Sequence, residues 1–317
     1  MLPSLLARVL YNPCMHTLHL IDASLYVFRA WHSMPAAAFS DRDGAPVNAV
    51  HGFTRFLCDF LERTQPTHAL TAFDESLTSS FRNAIYPAYK AHRELPPAEL
   101  LVQFTYCKQI AAALGMCVLT DLQYEADDLI GSVVSRTRSE GFRNVIISAD
   151  KDFGQLIVDG DEQWDFSRNE RWDPAGVKRR LGVRPDQVVD YLALTGDAVD
   201  NIPGVPGIGP KTAASLLAHF GSLDELLARL EEVPYLRLRG AGQAYVRIKE
   251  HRAQALMSRS LSAIALDAPI PPHTEHLRWR RPDASALAPL FDQLKFGPLT
   301  RKRILALGAA APLPVTG

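Results

Sequence analysis

Three short apolar runs in this chain each close on an aspartate. T-L-H-L-I-D ends at Asp22, H-A-L-T-A-F-D at Asp74 and N-V-I-I-S-A-D at Asp150. Short runs rich in β-branched and aromatic residues read as buried strands. A fourth, Met116 to Thr120, reads as another strand and ends in Thr-Asp. Between them apolar residues recur at helical spacing. His51 to Thr64 carries them at 53, 56, 57, 60 and 61; Leu100 to Leu114 is similar and is followed by Gly115, a helix-stop signal. A helix opening at Glu125 continues through Leu129 to Thr137, with Gly141 after it. Strand alternating with helix predicts a parallel α/β sheet. Ligands of such sheets gather at the carboxyl ends of the strands, where these aspartates fall.

After about residue 185 the character changes. Helical segments over Gln187–Thr195, Lys211–His219, Leu223–Leu230 and Ala244–Leu256 are separated by Gly/Pro-rich turns, and no strand-like run is convincing. This predicts a smaller helical domain. Residues 270–284 are rich in Pro and Arg and read as a linker, Ser285–Leu307 as a last helical hairpin, and A-A-A-P-L-P-V-T-G as a mobile tail. Residues 1–15 read as an N-terminal extension; their apolar stretch is broken by Arg8, which argues against a signal peptide, and translation could begin at Met15. Of 317 residues 47% are hydrophobic, enough for one or two domain cores. No apolar run approaches the roughly 20 residues of a membrane span. The cysteines, Cys14, Cys58, Cys107 and Cys117, form no C-x-x-C pair, which argues against zinc and for reduced thiols in a cytosolic setting.

The 34 basic and 35 acidic residues nearly cancel, so the order of the charges matters more than their sum. Y-E-A-D-D-L-I places Glu125 and Asp128 on one helix face with Asp127 beside them. Helix capping explains one or two such acids; it does not explain their convergence with Asp22, Asp74, Asp150 and Asp152. With Asp197 and Asp200 the set reaches nine carboxylates, at 22, 74, 125, 127, 128, 150, 152, 197 and 200. Nine like charges packed together repel unless protons or cations relieve them. All-oxygen ligands select hard ions such as Mg²⁺ or Mn²⁺. The number suits two, and two ions about 4 Å apart are a device for phosphodiester hydrolysis.

The segment after Asp74, S-S-F-R-N-A-I-Y-P-A-Y-K-A-H-R, is basic and aromatic. A helix starting at Pro87 would cluster Tyr86, Tyr89, Lys90 and Arg93 on one side, with Arg82 close by. Cations hold phosphates and tyrosines stack on bases. A solvated amphipathic helix is the plainer reading of such a run; its place beyond a strand-end acid favours a binding role. T-G-D-A-V-D-N-I-P-G-V-P-G-I-G-P-K-T-A, from Thr195 to Ala213, sets two acids before Gly204, Gly207 and Gly209 and then Lys211. Bare backbone at a helix N-terminus favours an anion. The order along this stretch is acid, glycine, base.

Together L-I-D-A-S, A-F-D, F-R-x-x-x-Y-x-x-Y-K-x-x-R, Y-E-A-D-D, S-A-D-K-D-F-G-Q-L, the Thr195–Ala213 stretch and F-D-Q-L-K-F-G-P-L closely resemble the bacterial and phage 5′-nucleases of the flap endonuclease superfamily, from about His16 to about Leu307. The likeness is greatest to the 5′-3′ exonuclease domain of bacterial DNA polymerases of the first class. It implies a PIN-like α/β nuclease domain over 16–186 with a helical arch at about 79–100. A helix–three-turn–helix domain is implied over 187–270, then a linker, C-terminal helices and tail over 271–317. It implies that Asp22, Asp74, Glu125, Asp127 and Asp128 hold one metal, and that Asp150, Asp152, Asp197 and Asp200 surround a second. By the same likeness Asp22, Asp74, Asp128 and Asp150 are catalytic, with Lys90 and Arg93 acting on the scissile phosphate. DNA contacts are implied at Arg82, Tyr86, Tyr89, Lys90, Arg93, Gly204, Gly207, Gly209, Lys211 and Thr212, and K⁺ at the carbonyls of Val205 and Ile208.

The expected function is structure-specific 5′-nuclease action on DNA with 5′ flaps, nicks or RNA primers, by a cytoplasmic, monomeric enzyme. A non-cleaving DNA-binding relative would have no need of the complete acid set. A PIN-type ribonuclease would lack reason to carry Thr195–Ala213 and the basic segment. No polymerase region follows residue 310 or so, so the expectation is a stand-alone nuclease or a fragment.

Overall fold

The computed structural model describes residues 16–75, 79–271 and 273–310, the last three as backbone only. The N-terminal extension and most of the C-terminal tail lie outside these residues. The first lobe contains β1 (Thr17–Asp22), α1 (Ala23–Ser33), α2 (Asn48–Thr64), β2 (His68–Asp74), α3 (Phe81–Ile85), α4 (Ala98–Ala113), β3 (Cys117–Asp121), α5 (Ala126–Ser139), β4 (Arg143–Ile147), β5 (Glu162–Asp165), β6 (Glu170–Trp172) and α6 (Pro174–Leu181). The strands form one sheet in the order β3-β2-β1-β4-β5-β6, parallel except for β6. Side chains alternate across it. Leu18, Leu20, Leu70 and Ile146 pack with α5 on one face; Ile21, Phe73, Val145 and Ile147 pack with α1, α2 and α4 on the other.

The second lobe is helical, with α7 (Val188–Thr195), α8 (Pro210–Phe220), α9 (Leu223–Ala228), α10 (Ala241–Glu250) and α11 (Arg252–Ser262). Its core is continuous with the α5 face: Leu192, Leu216, Leu217 and Ile248 belong to the same cluster as Leu18 and Ile130. The seam is close. A side-chain carbon on Gly131 of α5 would lie 2.5 Å from Ile264 Cγ2.

Two expectations change. No helix begins at Pro87: the five-residue α3 precedes it, and residues 87–92 are turns. The stretch read as a linker is a strap. Trp279 N donates to Thr67 O (2.9 Å), its indole to Leu114 O (2.8 Å), and Arg280 N to Gly115 O (2.9 Å). Gly115 is required there: φ is +84° and a Cβ would lie 2.0 Å from Arg280 O. The strap delivers α12 (Ala284–Gln293) and α13 (Pro298–Ala310) to the first lobe, where Leu287, Phe291 and Ile304 join the core containing Phe53 and Phe73. Among the described residues no helix is long and apolar enough to cross a membrane.

Candidate active site

The strand ends deliver the acids. Asp22 closes β1 and caps α1; Asp74 closes β2; Asp150 lies three residues past β4 and caps a 3₁₀ turn over Lys151–Leu156. Two serines fix them. Ser148 donates to Asp22 Oδ2 (2.9 Å) and accepts from Asp150 N (3.1 Å), while Ser24 accepts from Asp74 N (2.9 Å). Asp74 Oδ1 also accepts from Ala126 N (2.9 Å), tying β2 to the start of α5. Neither serine was read from the sequence as a site residue, although each stands two positions from a strand-end acid.

Asp22, Asp74, Glu125, Asp127, Asp150, Asp152 and Asp200 line one cavity of about 490 Å³, together with Lys90, Arg93 and Glu94. Asp197 adjoins it through Lys151, whose ammonium contacts Asp197 Oδ2 and lies 3.3 Å from Asp152 Oδ1. Crowding shows in the protonation. Burial, then the neighbouring Asp74, push the Asp22 carboxyl up to about 7; burial, then Asp150, do the same to Asp152. Asp127 is held well above the usual carboxylate range by burial and by Asp128.

Asp128, expected among the metal ligands, is committed elsewhere. Its oxygens accept from Arg82 Nη1 (2.7 Å) and Nη2 (2.8 Å), Glu125 N (3.0 Å) and Ala265 N (2.8 Å), and the residue is fully buried. These four donors use its whole acceptor capacity. Arg82, expected at a DNA surface, is its partner: 1% exposed, it also donates to Leu261 O (2.8 Å) and Ala263 O (2.9 Å), joining the lobes. Tyr89, expected to stack on a base, is 2% exposed, and its hydroxyl lies 3.0 Å from Glu125 Oε2 and 3.2 Å from Asp200 Oδ2. Its ring packs with Ile202 and Leu261 and is covered; half-buried Tyr86 packs against the same group.

Lys90 and Arg93 are at the cavity. Lys90 Nζ lies 2.7 Å from Glu125 Oε2 and 3.6 Å from Asp200 Oδ2, and Arg93 Nη2 is 2.5 Å from Asp200 Oδ1. Burial disfavours the Lys90 charge, but Glu125 and Asp200 outweigh it and hold the ammonium protonated. Lys90 adopts φ +54°, uncommon for a side-chain-bearing residue, and its N–H donates to Asp200 O (3.0 Å). Asn201 Nδ2 donates to Ala88 O (2.6 Å). The basic segment is thus stitched to residues 199–201. Among the described residues no group of three or more His, Cys, Asp or Glu is arranged to hold a metal ion as it stands.

Residues 195–213 form a tight crossing. Asp197 and Ile202 exchange backbone hydrogen bonds of 2.8 Å. Gly204 has φ +60°, and a Cβ on it would lie 2.2 Å from Gly196 N. Gly207 has φ +77° and lies under Arg247, whose Nη1 donates to its carbonyl (2.8 Å). A Cβ on Gly209 would meet nothing within 4 Å. Gly209 precedes α8, where Pro210 takes the first helical position, followed by Lys211 and Thr212. The side chains of Val205 and Ile208 are buried and anchor the turn from below.

A twisted parallel sheet with carboxylates at its strand ends, joined to a helical lobe, defines an α/β nuclease class. Residues 17–182 match the family described as 5′-3′ exonuclease, N-terminal resolvase-like domain, and residues 183–285 match 5′-3′ exonuclease, C-terminal SAM fold. The chain belongs to the 5′-3′ exonuclease family, as the motifs led us to expect. It is 35% identical over 298 residues to DNA polymerase I of Mycobacterium tuberculosis (strain ATCC 25618 / H37Rv), covering 93% of this chain and 32% of that protein. It is 36% identical over 282 residues to DNA polymerase I of Bacillus caldotenax, covering 87% and 31%. The chain thus spans about a third of the length of these relatives. Its fold is similar to T5 5′-exonuclease solved with divalent zinc ions: TM-score 0.63, 17% identity, 94% of this chain and 100% of that one. It is also similar to the catalytic core of Rad2 in complex with DNA substrate: TM-score 0.62, 13% identity, 92% of each.

Proposed function

We propose that this chain is a divalent-metal-dependent, structure-specific 5′-nuclease that hydrolyses phosphodiesters near the 5′ ends of flapped, nicked or primer-bearing DNA. The observation that carries the reading is the cavity itself: acids from β1, β2, α5, the Asp150 turn and the Asp200 loop around one space, with Lys90 and Arg93 on its wall. The donor set fits hard ions, Mg²⁺ or Mn²⁺, and its size suits two. Asp152 Oδ1 is buried and accepts no hydrogen bond, and burial together with neighbouring carboxylates raises Asp22 and Asp152, a strain that a bound cation would relieve. Asp22, Asp74, Asp127 and Asp150 would hold one ion, Asp152, Asp197 and Asp200 the other, with Glu125 between them. Bound ions supply a lowered water pKa and charge for the leaving oxygen.

The chain's own groups do the rest. Lys90, released from Glu125, donates to the charge that develops on the scissile phosphate, and Arg93 steadies the same group. The open backbone at Gly209 and the N-terminus of α8, with Lys211 and Thr212, grip a duplex phosphate. Val205 and Ile208 offer carbonyls to a K⁺ ion at the turn; that of Val205 accepts Ile208 N at 3.0 Å and keeps a lone pair. In this reading residues 16–186 cut, 187–270 hold the duplex, and the enzyme acts as a monomer in the cytoplasm. The test is cleavage of 5′-labelled flap, nicked and blunt duplexes with Mg²⁺ and with EDTA. Mg²⁺-dependent release of short 5′ products from flap or nick supports the reading; equal products in EDTA overturn it.

A further inference from the structure

Lys151 stands inside the acid cluster. Its ammonium contacts Asp197 and lies 3.3 Å from Asp152 Oδ1, the buried oxygen that has no hydrogen-bond partner. The residue follows Asp150 directly and opens the 3₁₀ turn that Asp150 caps, so the backbone cannot carry it away from the cluster. Its side chain is about one-third exposed, so it has solvent to swing into. No comparable cation lies within ion-pair reach of Asp22, Asp74 or Asp150 among the described residues.

We propose that Lys151 is a tethered cation that competes with the second divalent ion for Asp152 and Asp197, weakening that position so that it fills last. The inference rests on the two-ion reading above. A divalent ion would draw oxygens to about 2.1 Å, and the ammonium already sits against an oxygen of each of these two acids. The two cations therefore exclude each other or repel at short range. Lys151 offsets part of the charge of Asp152 and Asp197 and would swing out when the ion enters. A site bare of this lysine would hold both ions with more equal affinity.

The test is isothermal titration of the full chain with Mn²⁺. Wild type should show one tighter and one weaker event. Lys151→Met should tighten the weaker event about tenfold, the order of effect of removing one adjacent like charge, and leave the tighter one within about twofold. Lys151→Gln should do the same, and Lys151→Arg should keep the weak event. A single event in wild type that becomes two in Lys151→Met would equally support the proposal. A weaker event unchanged or loosened in both neutral variants overturns it and leaves the two-ion reading standing. One event, or none, in every protein removes the two-ion reading and the proposal together.

Discussion

The two halves of the acid cluster keep different company. Asp22, Asp74 and Asp150 are held by serine hydroxyls and backbone amides. Glu125, Asp128, Asp152, Asp197 and Asp200 each face a lysine or arginine of the same chain. The first half is oriented but not neutralised; the second is neutralised from within. A fold that needs many carboxylates in one place survives without metal by compensating half of them and letting burial protonate others. The compensating cations are of two kinds: Arg82 is buried with Asp128, while Arg93 and Lys151 keep about a third of their side chains exposed.

The sharpest way to test the contrast is at its bare half. Asp150→Ala should abolish cleavage while gel-shift binding of a flap substrate persists; undiminished cutting with Mg²⁺ would show that this half is not the site. Lys90→Ala, on the compensated half, should slow single-turnover cleavage by about 10²–10³-fold. A change in affinity alone would move Lys90 from chemistry to binding.

Stability should divide the cations themselves. Arg82→Met strands Asp128 without solvent and should cost about 3–5 kcal/mol in urea unfolding. Arg93→Met removes a partly exposed pair and should cost under about 1 kcal/mol. Similar losses would erase the distinction between a structural and a releasable cation. The smallest effect is in pH. Asp152 binds its proton up to about pH 7 when folded, against about 4 unfolded. The folded state therefore holds more protons between these values. Its stabilising contribution is present below about pH 4 and is lost as pH rises towards 7. In EDTA, wild-type stability relative to Asp152→Asn should fall over that window, and saturating Mn²⁺ should reverse the trend.

Much of the first lobe is legible in the sequence because its central strands are largely buried and read as short, mostly apolar runs. β1 and β2 end on an acid and β4 is followed by one three residues on, and the common strand direction gathers them. β5 and β6 escape such reading: E-Q-W-D and E-R-W are short, mix charge with tryptophan and form the outer end of the sheet beyond β4. α1 begins where β1 ends, so two periodicities abut at Asp22. The acids could be named from spacing, but not their partners. Arg82 reads as a phosphate contact because it neighbours Lys90. It is buried because Asp128, 46 residues on, needs a bidentate donor. The strap reads as a linker because Pro and Arg dominate it; the one contrary signal is Trp279, an indole out of place in a solvated tether.

The strap also sets a timetable. The indole of Trp279 bonds a carbonyl 165 residues earlier, and Arg303 reaches Glu62 across 241. Closures over such separations are slow and come late in folding. Because the helical lobe lies between these partners in the chain, a ribosome delivers it before the pieces that complete the sheet's second core. The second core of the sheet lobe, which needs Leu287, Phe291 and Ile304, therefore closes only after the whole helical lobe has been synthesised.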